Sequence, residues 1–292
     1  MKIAVVHYHL EPGGVTRVIE NTFDAFGQSP ERPHSVVLSG RPYFGQKIKD
    51  IAVVEGLDYS NPSQAPDPTQ LRESLEKAAK DSLGTAPDLW HVHNHSLGKN
   101  PALTEAIYQL AERGHPLLLH IHDFAEDGRP GNYRALSAVR NRLYPAGSHI
   151  RYAALNRRDH HFLADLTSGH PAPVLLPNAI PAPAHARSPC GKVDLPEQLH
   201  LYPVRAVRRK NLGELALLAT AHSDLHFANS LGPTNPEFRP KYERWKAFSA
   251  ARDLPLTFGI GENPDLSFSE VVNASQALVT TSVAEGFGLG FL

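Results

Sequence analysis

Short apolar runs of β character alternate with segments of helical period along this 292-residue chain, and that alternation narrows its fold more than any other feature. Residues 2–7 read as a strand, and Val15, Val18, Ile19 and Phe26 then recur at helical spacing. Residues 35–38 and 51–54 are further short strands. Leu71, Leu75, Ala78 and Ala79 mark a helix with charges on its other face. Residues 88–93 are a strand, and residues 102–113 a helix that stops at Gly114. Strands at 117–122, 150–155 and 174–176 complete the first series. Parallel neighbours need a crossover, and helices of these lengths supply it, so the expected fold is an α/β sheet covered on both faces.

The pattern breaks near Pro177. Residues 181–197, with Pro181, Pro183 and Pro189, have no apolar period and read as an extended linker. A second series follows: strand 199–204 with a disruptive Pro203, helix 212–221, strand 225–228, helix 238–251, strand 256–260, helix 269–275 and strand 277–282. The expected organisation is therefore an N-terminal domain over 1–180, the linker, and a second domain over 198–292. Two such domains would face a cleft, where the carboxyl ends of the strands hold a ligand.

The chain is long enough for two cores. Its 29 basic and 30 acidic residues leave a net charge of −1, which gives no general electrostatic reason for nucleic acid or an anionic membrane as partner. The single cysteine, Cys190, cannot form an intrachain disulfide, in keeping with a reducing compartment. No run approaches the roughly 18 apolar residues of a membrane span. The N-terminus, interrupted by His7 and His9, reads as a first strand rather than a signal peptide. Together these features lead to the expectation of a cytoplasmic protein.

Four constellations can carry chemistry. Pro12-Gly13-Gly14 lies between the first strand and helix, where glycines let a ligand approach the backbone and a helix start favours an anion. The full Gly-x-Gly-x-x-Gly fingerprint is absent, which disfavours a nicotinamide site; a tight turn explains the pair equally well. His91, His93 and His95 alternate, as do His120 and His122, so each set points to one strand face. They suit acid–base or hydrogen-bond chemistry. They also suit a metal-dependent hydrolase, although no acid or cysteine stands at ligand spacing. Ordinary buried histidines are the bland alternative, weakest for His122, which Asp123 follows. Arg205, Arg208, Arg209 and Lys210 after a strand suit a diphosphate, and cations there oppose a helix dipole. Glu285-Gly286-Phe287-Gly288 offers a carboxylate for sugar hydroxyls and open backbone N–H groups; an exposed loop is the alternative.

Taken in order, these segments resemble glycosyltransferase family 4, the retaining enzymes of the GT-B fold with two Rossmann-like domains. Pro12-Gly13-Gly14 is similar to the family's N-terminal glycine loop, and residues 87–93 to its Pro-Asp strand ending His-x-His. Residues 119–123 resemble the strand bearing its active-site histidine, and Leu176-Pro177-Asn178-Ala179-Ile180 its interdomain segment, with Ala179 where glycine is usual. Arg205 and Lys210-Asn211 match its donor-phosphate pair, with Val204 in place of a glycine, and Glu285 opens its E-x7-E motif.

The resemblance implies a nucleotide-sugar donor, an unidentified acceptor (carbohydrate, lipid or small molecule), and no metal or other cofactor. It implies that Arg205 and Lys210 neutralise the leaving diphosphate and that Glu285, Gly286, Phe287 and Gly288 hold the donor sugar. Gly13 and Gly14 would line the cleft, and His122 would contact the transferring sugar or the donor phosphate. The motif's second glutamate would fall just after Leu292. The expectation is thus a second domain that is incomplete and a chain truncated at its C-terminus. The alternatives are the hydrolase on His91, His93, His95, His120 and His122, and a non-catalytic, degenerate binding module.

Overall fold

The computed structural model describes residues 1–60, 65–168, 172–178, 180, 195–233 and 236–283. The chain divides into two compact units, Met1–Pro181 and Ala182–Leu292.

The first unit runs β1 (Lys2–His7), α1 (Gly14–Gln28), β2 (His34–Ser39), β3 (Ile51–Val53), α2 (Pro68–Leu83), β4 (Leu89–His93) and α3 (Pro101–Glu112). It continues with β5 (Leu117–Ile121), α4 (Pro130–Ala135), β6 (Ile150–Ala154), α5 (Arg157–Leu166) and β7 (Val174–Leu175). All seven strands are parallel, in the order β3-β2-β1-β4-β5-β6-β7. Alternate residues of β1 enter opposite cores, Ala4 and Val6 with Trp90, Leu103 and Ile107, and Ile3 and Val5 with Ile19 and Val37. That double burial explains why the strands read as continuous apolar runs.

Capping fixes the helix starts. The Asp67 carboxylate accepts from the Gln70 N–H ahead of Pro68, and Asn100 accepts from Ala102 and Leu103 ahead of Pro101. The Asn100 amide also donates to the carbonyls of Gly56 and Asp58 at 2.7 and 2.8 Å, tying α3 to the loop after β3.

The sequence gives no reading of residues 127–132, yet α4 starts inside them. It is a short helix with no buried residue, so no apolar stripe announces it. Its Asn132 amide donates to the Leu97 carbonyl at 2.9 Å. Gly98, at φ 74°, lets the two segments approach: a Cβ there would lie 2.3 Å from the Asn132 carbonyl oxygen.

The second unit runs β8 (Leu199–Arg205), α6 (Leu212–Ala221), β9 (His226–Leu231), α7 (Arg239–Ala251), β10 (Leu256–Phe258), α8 (Phe268–Ala274) and β11 (Ala277–Leu278). Its sheet is also parallel, in the order β10-β9-β8-β11. Leu199, Leu201, Ala228, Ile260 and Val271 pack one face, and Tyr202, Leu215, Ala219 and Phe227 the other.

The expected last strand over 277–282 is shorter than its apolar run. Proline has no N–H to donate, and Pro203 sits where the β8 ladder shifts register, between Tyr202 and Arg205. Pairing with β11 stops before it, the last bond running from the Val279 N–H to the Leu201 carbonyl.

Among the described residues, no helix is long and apolar enough to cross a membrane.

Candidate functional site

In each sheet the strand order reverses once, between β1 and β4 in the first unit and between β8 and β11 in the second. Such a switch point opens a crevice at the carboxyl ends of the strands, the usual ligand position in open α/β sheets.

In the first unit, β4 and β5 pair with His93 opposite His120. That register puts four imidazoles on one face. His91 Nε2 and His120 Nδ1 share a hydrogen bond at 3.2 Å, and His93 Nδ1 and His122 Nε2 one at 2.8 Å. The hydrogen-bonded pairs also stack, with centroids 5.4 Å apart for His91 and His120 and 5.1 Å for His93 and His122, while His91–His93 and His120–His122 are tilted pairs at 4.3 and 4.2 Å. His7, from the end of β1, meets His93 edge-on at 6.1 Å.

All five are buried. Burial pulls His7 and His91 down to about 3 and His120 to about 4, and it holds His93 and His122 well below the ordinary histidine range. Neighbouring histidines push His7, His91, His93 and His122 the same way. These rings are therefore neutral at pH 7. His122 can donate or accept a hydrogen bond, but it cannot supply positive charge. His95 belongs elsewhere: its Nε2 bonds the Leu143 carbonyl at 2.8 Å, so the alternation did not carry all three β4-side histidines into one cluster. His91, His93 and His120 each bring a ring nitrogen within 4.8 Å of the others.

Gly13 caps α1 with extended backbone and no side-chain cap, and the first turn of α1 has no acid. A Cβ on Gly14 would meet nothing within 4 Å, and one on Gly13 only the Glu11 carbonyl at 3.7 Å. The protein's own packing does not demand glycine at either position.

In the second unit, Arg205 ends β8, and Lys210 closes the short helical turn Arg208–Lys210. The Arg205 Nε is buried and has no hydrogen-bond partner among the described residues. The segment after β11 is fastened to this turn. Thr281 donates to the carbonyls of Lys210 and Asn211 at 3.1 Å each, and the Val283 N–H donates to the Arg209 carbonyl at 3.0 Å. Ser282 shares a hydrogen bond with the Tyr202 hydroxyl. Glu285, Gly286, Phe287 and Gly288 lie outside the described residues, as does Ala179.

No family model matches the chain. The mannosylglucosyl-3-phosphoglycerate synthase of Petrotoga mobilis is similar to it, 26% identical over 316 residues that cover 99% of this chain. The chain spans 62% of that relative's length. HepE of Anabaena, solved in complex with UDP-glucose, superposes with a TM-score of 0.63 at 14% identity, covering 98% of this chain and 75% of that one. The catalytic domain of starch synthase IV from Arabidopsis thaliana, bound to ADP and acarbose, gives 0.57 at 13% identity, covering 99% and 79%. The fold is thus the GT-B-like α/β fold of glycosyltransferases, built on parallel sheets.

Within that fold, two residues that no motif flagged hold the first switch point together. Asn94 follows β4 in the left-handed region at φ 56°. Its side-chain oxygen accepts from the backbone N–H of His122 at 2.7 Å and of Asp123 at 3.2 Å. Its own carbonyl accepts from the Tyr8 hydroxyl at 2.7 Å. One buried asparagine thus ties together the ends of β1, β4 and β5. Alanine at 94 should cost about 3 kcal/mol, from left-handed strain and from the loss of the acceptor for the buried His122 N–H and the half-buried Asp123 N–H. Urea denaturation measures this, and a loss under about 1 kcal/mol would show that Asn94 does not set the loop.

Proposed function

We propose that this chain is a retaining glycosyltransferase of the family 4 kind, moving a sugar from a nucleotide-diphosphate donor to an acceptor hydroxyl. The observation that carries this reading is the fastening of residues 281–283 to the Arg209–Asn211 backbone. It holds residues 281–283 against the turn that ends at Lys210, at the second switch point. A diphosphate and the sugar joined to it need cations and a hydroxyl-binding carboxylate, the parts proposed here for Arg205, Lys210 and Glu285.

In this mechanism the bond between the anomeric carbon and the phosphate oxygen breaks, and negative charge collects on the leaving diphosphate. Arg205 and Lys210 stabilise that charge as fixed cations, without reorganising at the moment of reaction. The acceptor oxygen bonds to the anomeric carbon on the same face, and its proton passes to the leaving phosphate. Glu285 and the backbone of Gly286, Phe287 and Gly288 hold the sugar hydroxyls. Gly13 and Gly14 admit the ligand to the backbone at the start of α1, and His122 offers a neutral ring for a hydrogen bond to the sugar or phosphate. The cations take the part a metal plays in other transferases.

The UDP-glucose and ADP complexes of the two structural neighbours support a nucleoside diphosphate sugar as donor, and the relative's name supports a synthase of a glycosylated product. The test is nucleotide release by the full chain across a panel of UDP-, ADP- and GDP-sugars, with product anomers assigned by NMR. Release from one donor with retained configuration is expected. Neither binding nor release for any donor would sink the proposal, and an inverted product would sink retention.

A further inference from the structure

We propose that His91, His93 and His120 form a binding site for a divalent transition-metal ion of the zinc class. The inference does not depend on the reaction proposed above. Its basis is that one ring nitrogen from each residue lies within 4.8 Å of the other two. Zinc–imidazole bonds of about 2.1 Å place tetrahedral ligand atoms roughly 3.4 Å apart. Closing the trio onto an ion therefore needs only small ring rotations. The backbone needs no movement, because the three residues sit on adjacent, hydrogen-bonded strands.

All three rings are buried, so an ion held between them would be shielded from bulk water. The donor set also selects the class of ion. Three imidazoles without an oxygen ligand suit zinc, nickel or copper, whereas calcium and magnesium require oxygen. Coordination competes with the His91–His120 and His93–His122 hydrogen bonds, whose net contribution is small beside that of metal–imidazole bonds. Three protein ligands leave the fourth position to water.

The experiment strips the full chain with EDTA, equilibrates it with zinc chloride, desalts it, and measures bound metal and affinity by elemental analysis and calorimetry. About one zinc per chain is expected. His91→Gln and His120→Gln should each weaken affinity at least roughly tenfold, and exposed His222→Gln should not change it. Negligible retained zinc would overturn the site, as would undiminished affinity in folded His91 and His120 variants. If those variants fail to fold, cobalt(II) loading of the unaltered chain decides. A strong tetrahedral visible spectrum that zinc displaces supports the site, and the weak spectrum of a hydrated ion overturns it.

Discussion

Arg205→Ala should lower turnover by about 10²–10³-fold, the usual cost of deleting one fixed donor to charge that develops in the transition state. Arg205 is the terminal residue of β8, held by strand pairing rather than by a loop, so its charge is positioned before the donor arrives. Its buried Nε has no hydrogen-bond partner among the described residues. Inside a folded protein such a donor is a cost. Removing it should leave the urea midpoint unchanged or raised while the rate falls. This opposition separates a functional arginine from a structural one, whose loss would lower both. Arg205→Lys should recover little, because an ammonium lacks the planar fork that binds two phosphate oxygens. Steady-state nucleotide release at saturating donor, with urea denaturation of the same samples, reads both effects. A rate within about threefold of the unaltered chain would remove Arg205 from the donor site.

How far these sites could be read from sequence depended on how local the determining interaction is. Strand–helix alternation is local, and it located β1, α1 and α6 because each has a clear period. Helix α4 escaped because it buries none of its residues. Helix α5 escaped because it buries only Asp159 and Leu163 and leaves Phe162 and Leu166 exposed. Histidine alternation correctly put His91 and His93 on one face. Their pairing with His120 and His122 needs the β4–β5 register, which no local pattern encodes. Asn94 was invisible for a related reason. A single asparagine after a strand has no signature, and its role comes from Tyr8, 86 positions away, and His122, 28 away. In the second unit the basic turn was legible as a charge cluster. Its fastening to Thr281 and Val283, across about seventy residues, was not.

The buried histidines of the first unit should also make the metal-free protein unusually sensitive to mild acid. The ordinary histidine value is 6.5, and burial lowers His7 and His91 to about 3 and His95 and His120 to about 4 in the folded chain. Above pH 6.5 these rings are neutral whether the chain is folded or not, and they place no pH dependence on stability. Below 6.5 the unfolded chain takes up protons that the folded chain refuses, so stability falls as pH falls, until the folded values are reached. Each such histidine costs about 2 kcal/mol by pH 5, and all act in the same direction. A folded domain commonly has only about 5–15 kcal/mol in all. Among the described residues no acid offsets the penalty: the groups acting on His91 and on His93 are other histidines, and the effects that raise His7, His95 and His120 are backbone hydrogen bonds. Urea denaturation in EDTA at pH 7, 6 and 5, followed by near-ultraviolet circular dichroism, should show the midpoint falling steeply. His91→Asn with His120→Asn should flatten that slope, because asparagine does not titrate. Equal midpoints at pH 7 and pH 5 would mean that the imidazoles reach water, and the dry, neutral cluster at the first switch point would have to be abandoned.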